Sequence, residues 1–384
     1  MIKVLSIFGT RPEAIKMAPL VKAIEKHPSF ESKVCVTAQH REMLDQVLNI
    51  FDIKPDYDLD IMKNRQTLAE ITTNALIGLE QIIREVKPDI VLVHGDTTTT
   101  FVGSLAAFYS KVKVGHVEAG LRTFNKYFPF PEEINRKLTG VLADLHFAPT
   151  DNSKANLLRE GIAEEDIFIT GNTAIDALKT TVKKEFQFYN PVLKELEASN
   201  KRVILVTAHR NENIGEPLRN ICKALKYIAE KYEDVEIVYT LHKNPAVREI
   251  AYEILSNCDR VNLLDTLDAE EMHNIMDRSY LILTDSGGLQ EEAPSLGKPV
   301  LVLRNETERP EAIEFGTLKL AGTDKDNIIA LTEELLNNEK LYCEMANAVN
   351  PYGDGSASRR IVESLLFYFG ETTKRPTDFS ASVK

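Results

Sequence analysis

The stretch Leu281-Ile-Leu-Thr-Asp-Ser-Gly-Gly-Leu-Gln-Glu-Glu-Ala-Pro-Ser-Leu-Gly-Lys-Pro-Val300 has the pattern of a strand, a glycine turn, a helix and a second strand. An apolar run ends at Thr284-Asp285, and Ser286, Gly287 and Gly288 precede a helix-like segment. Backbone N–H groups at a helix start are free and carry partial positive charge, which suits a phosphate. The stretch is therefore either a phosphate-binding turn or a tight turn without a ligand.

Two charged side chains favour the phosphate interpretation. Glu292 lies one turn into the predicted helix, where its carboxylate can accept hydrogen bonds from ribose hydroxyls. Arg309, within Thr307-Glu-Arg-Pro310, can add a full positive charge. Together with the glycine turn they predict a site for a phosphate that is attached to a ribose.

The alternation of strand and helix recurs along the whole chain, which indicates a parallel sheet covered on both faces. The polar stretch Lys183–Lys201 separates two such series, so we expect an α/β fold of two doubly wound Rossmann-like domains facing each other across a cleft. Strands are predicted at Lys3–Phe8, Lys33–Thr37, Ile90–His94, Lys113–Val117, Leu145–Ala148, Ile167–Ile169, Arg202–Thr207, Val235–Tyr239, Val261–Leu263, Leu281–Thr284 and Val300–Leu303.

Composition narrows the class of protein. The chain has 384 residues, 43% of them hydrophobic and 27% charged, which is typical of a globular protein with two domains. Its net charge of −12 argues against nonspecific nucleic-acid binding. No apolar run approaches the roughly 20 residues that span a bilayer, and the first residues resemble a strand rather than a signal peptide. Four scattered cysteines favour reduced thiols in a cytoplasmic protein.

Ligands of doubly wound sheets bind beyond the carboxyl ends of the strands, so the residues that follow each strand are the candidates for a site. After the first strand, Arg11 and Lys16 are placed to meet an anion, or else are solvated surface charges. Asp96 follows the strand that ends at His94 and is either a helix cap or a site residue.

Two further carboxylates extend this group. Glu118 ends a hydrophobic strand, where a glutamate is a poor cap, and Glu132 follows an aromatic, proline-rich run. Burial and mutual repulsion of Asp96, Glu118 and Glu132 are expected to raise one pKa and to prepare separate acid and base roles.

Histidines follow two strands of the second half. His209 and Arg210 come after one strand and His242 after the next, each histidine beside a basic residue. This repetition favours anion recognition over a structural role, and His209 can also carry a proton. No local spacing of ligands predicts a metal site.

Seven motifs stand in the order found in one enzyme family. Together they resemble the bacterial non-hydrolysing UDP-N-acetylglucosamine 2-epimerases, and the resemblance runs from about Lys3 to about Gly370. The motifs are Phe8-Gly-Thr-Arg-Pro-Glu13, His94-Gly-Asp-Thr-Thr98, His116-Val-Glu-Ala-Gly-Leu-Arg122, Phe130-Pro-Glu-Glu-Ile-Asn-Arg136, Thr207-Ala-His-Arg-Asn-Glu-Asn213, Thr284-Asp-Ser-Gly-Gly288 and Thr307-Glu-Arg-Pro-Glu311.

The resemblance implies a glycosyltransferase-B-like pair of domains, residues 1–175 and 176–355, in a cytoplasmic homodimer. A C-terminal helix at about Ser356–Gly370 would return to the first domain, and residues 371–384 would form a loose polar tail. The implied reaction interconverts UDP-N-acetylglucosamine and UDP-N-acetylmannosamine, supplying N-acetylmannosamine for surface polysaccharide. UDP would be eliminated to leave 2-acetamidoglucal and then added back, without a nicotinamide or other cofactor.

The resemblance also assigns roles to residues. Acid/base work falls to Asp96, Glu118 and Glu132, with His209 near the leaving phosphate. A second UDP-N-acetylglucosamine, acting as an activator, would be held by Gln39, His40, Glu42 and Arg65. UDP would be held by Arg11, Lys16, His209, Ser286, Gly287, Gly288, Glu292 and Arg309.

Other functions on the same fold stay open at this point. A glycosyltransferase would also use the Ser-Gly-Gly turn and Glu292 but would need an acceptor site. A hydrolysing 2-epimerase would release free sugar, and a sensor of UDP-sugars would release nothing. Incubation with UDP-N-acetylglucosamine alone distinguishes these alternatives.

Overall fold

Parallel strands form the centre of each of two units. The computed structural model describes residues 1–37, 41–61, 66–307 and 309–381, with the side chains of residues 41–43 left out. Met1–Thr180 and Tyr352–Ser380 form the first unit, and Thr181–Pro351 belongs to the second. The sequence predicted this boundary between residues 175 and 176, a few residues before the observed boundary between Thr180 and Thr181. None of the described helices is long and apolar enough to cross a membrane.

The first unit contains a sheet with the strand order β3-β2-β1-β4-β5-β6-β7, in which every described pair is parallel. The order reverses between β1 and β4, and this is the point at which doubly wound sheets bind ligands. The strands are β1 (Ile2–Phe8), β2 (Phe30–Val36), β3 (Tyr57–Asp58), β4 (Ile90–His94), β5 (Lys113–Val117), β6 (Leu145–Ala148) and β7 (Ile167–Ile169).

Helices cover this sheet. The last of them lies near the C-terminus, after the residues of the second unit. In that helix Ile361, Val362 and Leu365 are buried in the same apolar core as Ala14 and Met17 of the first helix. The helices of the unit are α1 (Arg11–Glu25), α2 (Arg41–Ile50), α3 (Leu68–Val86), α4 (Thr98–Tyr109), α5 (Glu132–Leu142), α6 (Asp151–Arg159), α7 (Thr173–Thr181) and, after the second unit, α16 (Ala357–Tyr368).

The tail after α16 differs from the loose segment that we expected. The Phe379 N–H donates to the Ile169 carbonyl at 2.7 Å, and Asp378 accepts a hydrogen bond from the Ile169 N–H at 3.0 Å. The Arg375 guanidinium lies 4.1 Å from the centre of the Phe168 ring. The polar composition hid this attachment, because it depends on backbone groups and on one buried aromatic ring.

The second unit repeats the architecture, with the strand order β10-β9-β8-β11-β12-β13 and a reversal between β8 and β11. Its described pairs are all parallel as well. The strands are β8 (Arg202–Thr207), β9 (Val235–Leu241), β10 (Val261–Asp265), β11 (Leu281–Thr284), β12 (Val300–Val302) and β13 (Leu318–Leu320). The helices are α8 (Pro191–Glu197), α9 (Glu216–Lys231), α10 (Pro245–Leu255), α11 (Ala269–Arg278), α12 (Gly287–Glu292), α13 (Pro310–Glu314), α14 (Lys325–Asn337) and α15 (Glu339–Ala346).

The predicted α/β class is confirmed, and every strand predicted from the sequence overlaps an observed one. Strands β3 and β13 were not predicted. The first has two residues and the second three with a central lysine, so neither shows the β-branched run that identifies the others.

Candidate active site

A buried carboxylate fixes the loops at the switch point of the first unit. One oxygen of Glu13 accepts from the N–H groups of Gly9 and Thr10 at 3.0 and 2.7 Å. Its other oxygen accepts from the hydroxyls of Thr97 and Thr100 at 2.6 and 3.1 Å, which ties the start of α1 to the start of α4. Burial raises the pKa of Glu13. Our sequence analysis did not single out Glu13, although Thr10-x-x-Glu13 is the pattern of a capping box.

Glu118 follows β5 and lies in a closely paired setting. Its side chain is 9% exposed, and its Oε2 accepts from the Lys16 ammonium and, at 2.8 Å, from the Asn172 amide. The His94 Nε2 lies 3.6 Å from the same oxygen. Three elements, α1, β4 and the loop before α7, therefore converge on this carboxylate.

We expected burial and repulsion to raise the pKa of one of the three carboxylates, without saying which. Burial alone would raise the pKa of Glu118, but the Lys16 ammonium, together with the Asn172 hydrogen bond, holds the pKa of Glu118 well below its usual range. Glu118 is therefore not the carboxylate with a raised pKa, and the sequence did not reveal the cationic partner that accounts for this. Lys16, predicted to meet an anionic ligand, contacts an anion of the protein itself.

Burial lowers the pKa of His94 to about 4, while the carboxylates of Glu118 and Asp96 oppose that shift. His94 is therefore neutral at neutral pH and lies within electrostatic reach of both carboxylates. Two of the three predicted acids are thus brought near one buried imidazole.

Asp96 is paired with a residue that we did not assign to the site. Its Oδ2 lies 2.5 Å from Nη2 of Arg136 on α5. The Asn135 amide donates to the Asp96 carbonyl at 2.9 Å, so α5 holds both the side chain and the backbone of this loop. Arg136 was visible in the motif that ends with it, but the sequence did not reveal its partner.

Glu132 is the first residue of α5 and is partly exposed. Within the described parts of the chain, its carboxylate has no ion pair or hydrogen bond. The neighbouring Glu133 is fully buried and accepts from the N–H groups of Thr123 and Phe124, both at 3.0 Å. The two adjacent glutamates therefore differ in role, because Glu133 holds a loop and Glu132 keeps an open carboxylate.

The switch point of the second unit is organised around Asp285, which follows β11 and is fully buried. Its Oδ2 accepts from the N–H groups of His209 and Arg210 at 2.7 and 2.8 Å and from the Asn213 amide at 3.0 Å. The ring of His209 stacks on that of His242, with centroids 5.2 Å apart and an interplanar angle of 13°. The predicted residues His209, Arg210 and His242 therefore lie together.

The Ser-Gly-Gly turn starts α12 as predicted, and Arg309 lies against it. A Cβ on Gly287 would be 2.6 Å from Nη1 of Arg309, so only glycine lets the guanidinium lie there. Arg309 Nε also donates to Glu291 at 2.7 Å. The sequence thus predicted correctly that Arg309 accompanies this turn, although it did not identify Glu291 as the partner.

Glu292 is 9% exposed, with its Oε2 3.7 Å from Nε2 of His273, which our sequence analysis missed. The other nitrogen of His273 lies 2.7 Å from the Thr181 hydroxyl, which fixes the ring beside Glu292. Arg11 starts α1 at the switch point of the first unit. Gln39, His40 and Arg65, and the side chain of Glu42, lie outside the described residues.

Comparison with known proteins agrees with this geometry. The family model for UDP-N-acetylglucosamine 2-epimerase matches residues 22–366. The UDP-N-acetylglucosamine 2-epimerase of Bacillus subtilis is 60% identical over 379 residues, 99% of each chain, and that of Escherichia coli K12 is 56% identical over 369 residues, 94% of this chain and 98% of the other. The chain is thus an isomerase that belongs to the UDP-N-acetylglucosamine 2-epimerase family, which confirms the resemblance drawn from the seven motifs.

Solved structures support the same conclusion. The Neisseria meningitidis UDP-GlcNAc 2-epimerase, bound to UDP-GlcNAc, is 53% identical with a TM-score of 0.87, and the match covers 95% of this chain and all of the other. The Methanocaldococcus jannaschii enzyme, in complex with UDP-GlcNAc and UDP, is 36% identical with a TM-score of 0.79 over 95% of this chain and 100% of the other.

The Lys16–Glu118 pair gives a stability prediction. Lys16→Met should lower the free energy of unfolding at pH 7 by about 3 kcal/mol, because it leaves a buried carboxylate without its cation. The double variant Lys16→Met/Glu118→Gln should recover most of that loss. Urea unfolding of the three proteins measures both effects.

The pH dependence has a defined sign. The folded-state pKa of Glu118 lies below its ordinary value of 4.5, so its stabilisation is fully present above that pH and is lost as the pH falls through the folded pKa. The difference in the free energy of unfolding between the wild type and Lys16→Met should therefore become smaller in acid. An unchanged stability at pH 7, or a double variant no more stable than the single one, would contradict the assignment.

Proposed function

We propose that this protein interconverts UDP-N-acetylglucosamine and UDP-N-acetylmannosamine by eliminating UDP and adding it back. The observation that supports this most directly is the division of strand-end residues between the units. The first unit places carboxylates after β4 and β5, whereas the second places histidines after β8 and β9, an arginine after β8 and a glycine turn after β11. A substrate made of a sugar and a nucleotide diphosphate needs both kinds of residue.

The chemistry explains the need for acids and bases. The proton at sugar C2 is not acidic, so in the proposed route its loss accompanies cleavage of the C1–O bond to UDP, which leaves 2-acetamidoglucal. Return of a proton to the other face of C2 and of UDP to C1 completes the epimerisation. No oxidant or nicotinamide is consumed.

The charge states divide these roles. Glu118 is ionised by its Lys16 partner, so it can accept a proton at the start of a turnover but cannot supply one. Asp96 and Glu132 complete the proposed set, with Asp96 oriented by Arg136 and Glu132 keeping an open carboxylate. The proton that returns to C2 can then have two sources. It comes either from a carboxyl group other than Glu118, or from Glu118 after Glu118 has accepted a proton in the elimination step.

The second unit would hold UDP throughout the reaction, because UDP released before it is added back would leave 2-acetamidoglucal, to which only water could then add. The N–H groups of Gly287 and Gly288 are suited to the diphosphate. The Ser286 N–H donates to the Thr284 hydroxyl at 2.9 Å, so Ser286 would contribute its own hydroxyl. Arg309 adds charge at the same turn, and Glu292 can accept from ribose hydroxyls. Arg11, Lys16, Arg210 and His242 are the further predicted substrate-binding residues.

Regulation belongs to the same proposal. A second UDP-N-acetylglucosamine bound by Gln39, His40, Glu42 and Arg65 would activate the enzyme by favouring a closed state. We also propose that the protein acts in the cytoplasm and that its product supplies N-acetylmannosamine for cell-surface polysaccharide.

Incubation with UDP-N-acetylglucosamine alone in heavy water tests the reaction and its route together. The expected result is a mixture of the two UDP-sugars, with deuterium at C2 of UDP-N-acetylmannosamine, because the proton removed from C2 exchanges with solvent. Mass spectrometry and proton NMR of the products measure both features. Free sugar with UDP would indicate a hydrolase, no reaction would indicate a transferase or a sensor, and an epimer without deuterium would contradict the proposed proton exchange.

We further propose that the protein is a homodimer that associates through an apolar face of α4 and α5. On α5, Ile134, Leu138 and Val141 are spaced to lie on one side and are 37%, 42% and 80% exposed. On α4, which packs against α5, Phe108 and Tyr109 are 57% and 60% exposed. An exposed apolar patch of this kind is typical of a protein–protein interface.

Leu138→Glu/Val141→Glu should convert a dimer to a monomer, because two charges would be buried at the interface. Ile77→Glu is the matched control, since Ile77 is also an exposed apolar residue, 64% accessible, but lies on α3. Sedimentation velocity at micromolar concentration measures the three proteins. A monomeric wild type, or a dimeric double variant, would overturn this proposal.

A further inference from the structure

Asp285 is a buried carboxylate to which the proposed chemistry gives no role. It lies between β11 and the Ser-Gly-Gly turn, with no exposed surface. Its Oδ2 accepts three hydrogen bonds, from the backbone of His209 and Arg210 and from the side chain of Asn213. This oxygen alone would be enough to hold the loop after β8.

The other oxygen has a different environment. Within the described residues, Oδ1 of Asp285 is buried and accepts no hydrogen bond. It lies 3.4 Å from Nδ1 of His209, so a small rotation of the imidazole would make a hydrogen bond. A buried carboxylate oxygen without a donor is costly, and the imidazole is the group placed to satisfy it.

One face of the His209 ring is also covered. His242 stacks on it, and Nδ1 of His242 accepts from the Asn244 N–H at 3.1 Å. That hydrogen bond orients the His242 ring against the His209 ring. The His209 ring therefore has a carboxylate beside Nδ1 and an imidazole stacked on one face.

The charged groups around His209 have opposing effects. Burial lowers the pKa of His209, the Asp285 carboxylate opposes that shift, and His242 and Arg210 reinforce it, while Glu212 adds a smaller opposing effect. Asp285 is thus the main group that preserves the basicity of this imidazole.

We propose that Asp285 is a positioning residue that holds His209 with its proton on Nδ1 and leaves Nε2 directed at the leaving diphosphate. This inference rests on the role of His209 in the proposed function. As the C1–O bond breaks, protonated His209 gives its Nε2 proton to the departing UDP oxygen, and it takes the proton back when that oxygen bonds to C1 again. Nε2 can both give and receive this proton only if Nδ1 keeps its own, which the carboxylate ensures.

Asp285→Asn is the principal test. An asparagine can keep an oxygen toward the three donors, but it presents an N–H group to Nδ1 of His209 and so forces the opposite tautomer. We expect kcat to fall by about 100-fold or more, while the Kd for UDP measured by calorimetry changes by less than about threefold. Asp176→Asn is the control, because Asp176 is also buried and accepts two N–H bonds, from Ala357 and Ser358 at 3.0 and 2.8 Å.

A double-variant cycle separates positioning from a purely structural role. If Asp285 acts through His209, Asp285→Asn should cost little further activity in a His209→Asn background. An equal loss in both backgrounds would overturn the proposal. Full activity of His209→Asn would refute the proposed role of His209 and with it the catalytic consequence of the pairing.

NMR of the imidazole nitrogens tests the pairing without turnover, and its measurement on the wild-type protein does not depend on the folding of a variant. In the wild-type protein the neutral form of His209 should carry its proton on Nδ1. In Asp285→Asn its pKa should fall by about 1 unit or more, since an adjacent anion has been lost. A neutral wild-type form with the proton on Nε2, or an unchanged pKa in the variant, would refute the pairing.

Discussion

The parallel pairing of the strands is the constraint on which the rest of the structure depends. In a parallel sheet all carboxyl ends open at one edge, so loops that are far apart in the sequence end side by side. In each unit the order reverses between two central strands, β1 and β4 in one and β8 and β11 in the other. The residues predicted to act on the substrate follow these strands or their immediate neighbours.

Each switch point is held by buried carboxylates whose charge is compensated differently. Glu13 is satisfied by backbone and hydroxyl donors that join two loops, and Glu118 by an ammonium and an amide. Asp285 satisfies one oxygen with donors of the loop after β8 and offers the other to His209. Because a buried charge is costly without partners, each of these arrangements fixes the backbone around it.

The sequence was informative wherever a local pattern sufficed. The strands, the Ser-Gly-Gly turn and the strand-end positions of Asp96, Glu118 and His209 follow from periodicity and from the rule for doubly wound sheets. Lys16 as the partner of Glu118 could not be predicted, since the two lie 102 positions apart and only the tertiary structure joins them. The same holds for Arg136 with Asp96 and for Asp285 with His209. Glu13 differs, because its capping-box pattern with Thr10 stands in the sequence although our prediction did not use it.

One comparison tests most directly whether the units divide the substrate as proposed, with UDP held by the second and the sugar acted on by the first. It measures both the Kd for UDP and the turnover number in two sets of variants. Asp96→Asn, Glu118→Gln and Glu132→Gln should lower turnover by about 100-fold or more and leave the Kd nearly unchanged. Glu292→Gln and Arg309→Met should weaken UDP binding by about tenfold or more. Near-normal turnover in all three carboxylate variants, or unchanged UDP affinity in both variants of the second unit, would contradict this division.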